Sequence, residues 1–137
     1  PTTSSAAIVP KNNGDFVSEV PIGIGKSLEY KKYWYTNYRL ESLVELEELL
    51  ETAMNKALYQ TVKQPVLMLY YYKNEKEQDP VVKVDAMLQM FNELGSKRKQ
   101  KIALPKTGNH VIGSYITSND VKGVEQAMDN FIQERLN

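Results

Sequence analysis

Val66 to Tyr72, VLMLYYY, is the longest apolar run in the chain, and its length of seven residues limits what the chain can become. A membrane-spanning helix needs roughly 20 such residues, so this run does not cross a bilayer. It is entered from Gln64-Pro65 and left into the polar KNEKEQ. A short, continuous apolar run bounded in this way reads as a strand buried on both faces of a parallel sheet. Such a strand needs parallel neighbours beside it and helices above and below. KIAL, Lys101 to Leu104, is a second strand of the same kind.

Between the two runs lies one helical pattern. Val81, Val84, Leu88 and Phe91 form a stripe, with Met87, Met90 and Leu94 beside it. Asp79-Pro80 offers a helix start, with Asp as N-cap and Pro at the first helical position, and Gly95 suits the residue after the helix. SKRKQ is a basic, exposed connector. A final amphipathic helix carries Val121, Val124, Met128, Phe131 and Ile132 and ends near Leu136, with Ser118, Asn119 and Asp120 as possible caps.

Strand–helix–strand with a single crossover helix implies parallel strands. Loops that follow parallel strands leave the same sheet edge, where ligand sites form in open α/β sheets. Neighbouring strands are about 4.8 Å apart. Asp79 lies in the first such loop, and the only histidine, His110, lies in the second, PKTGNHVIGSYITSND. The topology therefore brings a carboxylate and an imidazole within hydrogen-bond reach. An aspartate bonded to one ring nitrogen fixes the tautomer and leaves the other nitrogen to act as a base. The alternative is local: capping alone accounts for an Asp-Pro pair, and His110 is then an exposed loop residue.

The first half carries less chemistry. PTTSSAAIVPKNNGD reads as a tail, and Phe16 to Gly25 has strand character broken by Pro21 and two glycines. Because the chain opens on Pro1 rather than methionine, removal of upstream residues is expected. LEYKKYWYTNYRL holds four tyrosines and the only tryptophan, Trp34. Its interleaved Lys and Arg also fit base stacking on a nucleic acid. A half-buried cap segment or interface fits better, since 17 Lys and Arg balance 17 Asp and Glu and there is no second basic patch. Neither nucleic acid nor an anionic membrane is expected as a partner. From Leu40 to about Val62 the pattern is helical, through Leu43, Leu46, Leu50, Met54, Ala57 and Leu58, with the acids of ELEELLE on the opposite face. The absence of cysteine excludes disulfides, thiolate metal sites and cysteine nucleophiles, and leaves the compartment open. One histidine and scattered carboxylates offer no metal cage, so neither metal nor other cofactor is expected.

YYYKNEKEQDPVVKVDAMLQMFNELGS followed by KIALPKTGNHVIGS and a terminal helix resembles the C-terminal portion of an α/β-hydrolase. In that family the acid follows a late strand, as in Asp79-Pro80-Val81-Val82. The histidine follows the last strand in a glycine-containing loop, as in Thr107-Gly108-Asn109-His110. The separation of Asp79 and His110 fits, as does their order after an upstream nucleophile. The resemblance covers about residues 64–136. It implies serine attack on an ester or similar acyl bond, with His110 as base then acid and Asp79 as its orienting partner. Asn109, Val111 and Tyr115 would border the site entrance. By position alone, the tyrosine-rich segment and the Leu40–Val62 helix stand where such enzymes carry a cap or lid.

The chain departs from the family at the nucleophile, since it contains no Gly-x-Ser-x-Gly. The nearest sequence, Gly25-Lys26-Ser27-Leu28-Glu29, puts a glutamate where backbone and helix must approach closely, so Ser27 is a poor nucleophile candidate. The same Gly-Lys-Ser also ends a phosphate-binding loop, but that motif needs a glycine where Val20 stands. No oxyanion donors are identifiable.

The fold expected is α/β. It is a partial doubly wound parallel sheet, the C-terminal part of an α/β-hydrolase, with a helical, cap-like N-terminal segment. The parts are a tail and irregular segment over 1–29, a cap-like helical segment over 30–63 and the hydrolase portion over 64–137. The chain would be inactive alone. Two strands leave edges and apolar faces uncovered, so the missing N-terminal half, self-association or an added strand from its own N-terminal region is expected to cover them. The competing reading is a non-catalytic small α/β module that binds a protein through the tyrosine-rich segment 30–38.

Overall fold

A computed structural model describes residues 16–18, 29–33 and 37–136. The elements in chain order are β1 (Phe16–Ser18), α1 (Tyr30–Tyr33), β2 (Asn37–Arg39), α2 (Leu40–Ala53), α3 (Lys56–Tyr59), β3 (Val66–Tyr70), β4 (Tyr72–Asn74), β5 (Glu77–Gln78), α4 (Val84–Glu93), β6 (Lys99–Ala103) and α5 (Val121–Leu136). The architecture is mixed α/β.

The organising feature is the parallel pair β3–β6, in register from Val66 opposite Lys99 to Tyr70 opposite Ala103. The crossover between them contains α4, as the order of the apolar runs implies. Lys99 and Lys101, two apart on β6, each hold an ammonium 5.1–5.3 Å from the centre of the Phe91 ring. The Phe91 ring of α4 therefore lies beside that face of β6, on which Lys101 stays exposed, and α5 packs against β3. Lys99 extends β6 two residues earlier than the apolar pattern KIAL indicates. Its ammonium donates to the carbonyls of Phe91, Asn92 and Leu94 at 2.7–3.1 Å, satisfying the open end of α4.

Among the described residues the buried apolar side chains are Tyr71, Val84, Phe91, Leu104, Val124 and Ala127. Tyr71 and Leu104 directly follow the two parallel strands, so the core is concentrated at the strands' C-terminal ends. Strand β3 is half-buried at every position rather than buried on both faces. Among the described residues its sheet has two strands, so it has one free edge and incomplete cover. Among the described residues of the N-terminal region, β1 pairs antiparallel with β2 and neither adds to the β3–β6 sheet.

Several boundaries differ from those the sequence implies. The helix expected over Leu40–Val62 is broken after Ala53. Asn55 causes the break: its carbonyl oxygen accepts from Leu58 N at 3.0 Å while its amide donates to Thr52 O at 2.8 Å. KNEKEQ is not a plain loop but part of the antiparallel hairpin β4–β5. Gly95 follows α4 as expected, but not for a left-handed conformation. A side chain there would run into the Gln60 carbonyl oxygen, so glycine permits the close approach of the segment after α3. Along α2 and α3 the apolar residues Val44, Leu46, Leu49, Leu50, Met54 and Leu58 are 44–59 % exposed, so the described residues leave this helical row uncovered. Ser27 and Trp34 lie outside the described residues, as do the tail before Phe16 and most of Gly25–Glu29. No described helix is long and apolar enough to cross a membrane.

Candidate functional site

Asp79 is brought back to the end of β3 by the hairpin. The turn is set by Asn74, whose side-chain oxygen accepts from Lys76 N and Glu77 N, both at 3.0 Å. Lys73 and Asn74 both bond the Glu77 carboxylate across the hairpin. They hold its carboxyl below the usual glutamate range, Lys73 most strongly. The chain then returns to β3, where Asp79 N donates to Tyr71 O at 3.1 Å.

The Asp79 carboxylate does not cap α4, which begins at Val84 with Lys83 as its N-cap. Instead Oδ1 accepts from Val81 N at 2.8 Å and Val82 N at 2.9 Å. Pro80 has no N–H and a fixed φ, which leaves those two donors as the first available ones. The carboxylate thus closes a turn of its own before the helix, and its second oxygen stays free for a distant partner.

That partner is His110. After β6 the chain enters a compact loop. Thr107 is fully buried, with its hydroxyl on Leu104 O at 2.9 Å and its carbonyl accepting from Asn119 N at 3.0 Å. Gly108 follows with φ 71°, a left-handed conformation that L side chains rarely adopt. A Cβ there would also come within 2.8 Å of the Asn119 amide nitrogen. Asn109 is buried, and its side chain accepts from Val111 N at 3.0 Å, so it holds the loop instead of bordering an entrance. This turn sends the His110 ring towards Asp79.

His110 Nδ1 and Asp79 Oδ2 are 2.7 Å apart. The aspartate side chain is 3 % exposed and the histidine side chain 38 %. A buried carboxylate is tolerated only where its lone pairs are used. Here Oδ1 takes two backbone N–H groups and Oδ2 takes the imidazole. The separation is that of a short, charge-assisted bond. With Nδ1 donating to the carboxylate, the neutral ring carries its lone pair on Nε2. No described residue is hydrogen-bonded to Nε2. The pair can therefore accept a proton at Nε2, with the imidazolium so formed stabilised by the carboxylate behind it.

Among the described residues no group of three or more His, Cys, Asp or Glu converges as a metal site. One further polar link carries no sequence signal: the Tyr115 hydroxyl donates to Glu29 Oε1 at 2.9 Å. That accepting carboxylate, more than any other neighbour, holds the Tyr115 phenol above its usual range. No family model, curated protein sequence or solved structure matches the chain.

Proposed function

We propose that this chain is the C-terminal part of an α/β-hydrolase that cleaves esters or related acyl bonds. On this reading Asp79 and His110 are the acid and base of a triad whose serine lies on an upstream segment. The observation that carries the reading is the 2.7 Å bond from His110 Nδ1 to Asp79 Oδ2, made where two parallel strands joined through one helix end. An aspartate that only closes its own turn needs only the oxygen that meets Val81 and Val82. Turn closure leaves the second oxygen's bond to a residue 31 positions away unexplained.

In the reaction, the serine hydroxyl gives its proton to Nε2 as its oxygen attacks the acyl carbon. Nε2 then returns that proton to the departing alcohol oxygen. A water molecule repeats the sequence and releases the acid. Asp79 stays ionised throughout and holds the ring in orientation. The oxyanion donors and the neighbouring strands that cover β3 and β6 belong to the upstream half, or a second copy of the chain supplies the cover.

The test is to read the gene upstream of Pro1 and treat its complete product with a fluorophosphonate. The expected result is an upstream Gly-x-Ser-x-Gly whose serine is labelled. An upstream sequence without that motif, or a product that takes no label, contradicts the reading. Label on Ser27 would put the nucleophile in this chain.

A second reading has one observation in its favour. The uncovered apolar row on α2 and α3, with Tyr33 65 % exposed on α1, suits a non-catalytic module that binds a protein through this half. A gene that begins near Pro1, with a product inactive on esters, would favour it.

A further inference from the structure

His110 stands between two cross-links of its own loop. At the base, Asn119 N donates to Thr107 O at 3.0 Å. Beyond the histidine, the Thr117 hydroxyl donates to Val111 O at 2.7 Å, while its other acceptor, Ser114 O, lies at 3.5 Å. Val111 is gripped a second time, because its N–H donates to the Asn109 side chain at 3.0 Å. That bond reaches over His110, from the residue before it to the residue after it. The His110 carbonyl itself accepts from Ile112 N at 3.0 Å. Gly108, at φ 71°, turns the chain on the near side. The backbone is therefore fixed on both sides of the histidine, by groups that touch neither the ring nor Asp79. The ring needs this. It is 38 % exposed and makes one side-chain bond, to Asp79. A backbone free to move at Val111 would let an open ring swing off that single partner.

We propose that Asn109 and Thr117 are positioning residues that hold His110 through Val111, so that the ring meets Asp79 before any substrate arrives. What the held ring is for rests on the hydrolase reading; that it is held does not. The apex of the loop, residues 112–116, takes no part, although Tyr115 on it is the most exposed of its side chains.

The test uses the 137-residue chain labelled with 15N-histidine, without substrate, and reads exchange of the Nδ1 proton with water. Asn109→Ala and Thr117→Val are each expected to speed that exchange about fivefold, the scale of one net intramolecular hydrogen bond. Thr117→Ser keeps the hydroxyl and is expected to exchange like the wild type. Tyr115→Ala alters only the apex and is expected to leave the ring unchanged. Val124→Ala, which opens the buried face of α5, controls for stability. It is expected to lower the urea midpoint and leave the ring's exchange as it was. If it speeds the exchange as much as Thr117→Val does, global opening governs the ring and the clasp is overturned. Unchanged exchange in Thr117→Val or Asn109→Ala overturns it too, as does Thr117→Ser or Tyr115→Ala exchanging as fast as Thr117→Val. No ester enters this measurement, so a failure of the clasp and a failure of the hydrolase reading are seen separately.

Discussion

If the chain is part of the hydrolase proposed above, replacing His110 with alanine is expected to lower kcat of the complete protein on p-nitrophenyl butyrate by about a million-fold, the scale at which loss of a triad histidine disables the whole unit. The reason is geometric. His110 is the only histidine in the chain, and its Nε2 is the one atom of the Asp79–His110 pair left to exchange a proton with substrate. The fold is expected to survive, because the ring is more than a third exposed and makes one side-chain bond. Its removal does unpair Asp79 Oδ2. Water entering the space of the lost ring reaches that oxygen from the exposed side, which limits the cost to about 1–3 kcal/mol. Circular dichroism and a urea midpoint check that the variant is folded before its rate is interpreted. A folded His110→Ala variant with near-normal turnover removes the histidine from the mechanism.

Asp79→Asn is expected to cost about ten-thousand-fold in kcat, through the tautomer. The asparagine oxygen still accepts from Val81 N and Val82 N, so the turn after Pro80 keeps its closure, and asparagine is as good a cap as aspartate. The amide nitrogen, however, is a donor and faces Nδ1. The ring must then present its lone pair at Nδ1 and carry its proton on Nε2, where a base needs a lone pair. This substitution separates the two readings of Asp79. If the carboxylate only closes its turn, Asp79→Asn leaves the rate unchanged, and Asp79→Ala lowers stability by about 1 kcal/mol without a specific loss of rate. Combining Asp79→Asn with His110→Ala is expected to do no further damage than His110→Ala alone, because the aspartate acts through the ring.

The parts that sequence disclosed are those governed by short-range rules. VLMLYYY and KIAL mark strands because apolar runs of that length have few other uses, and one intervening helix makes them parallel. That topology alone sends Asp79 and His110 to the same rim, where their side chains meet at 2.7 Å. Helix α5 begins where its cap sits, with Asp120 Oδ1 accepting from Gly123 N at 3.0 Å, a purely local bond. What stayed hidden depends on partners far along the chain, or on side chains competing with the backbone. Helix α4 starts at Val84 instead of Pro80, with the Asp79 carboxylate divided between its own turn and a ring 31 residues away. Apart from Tyr72, hairpin β4–β5 is built from polar and charged residues with no alternating apolar face, so no periodicity announces it. Lys99 reads as a connector residue until its ammonium is seen capping α4. The Glu29–Tyr115 bond has no sequence signature at all.

The single histidine makes one measurement decisive. In the 137-residue chain labelled with 15N-histidine, one imidazole ring reports, with no other ring to overlap it. At a pH where that ring is neutral, its proton is expected on Nδ1, shifted downfield and slow to exchange because it lies in the bond to the buried carboxylate. Nε2 is expected to show the shift of an unprotonated nitrogen, and Asp79→Asn to invert the pattern. A ring that averages freely between tautomers, or carries its proton on Nε2 in the wild-type chain, is not held by Asp79 and has no base to offer.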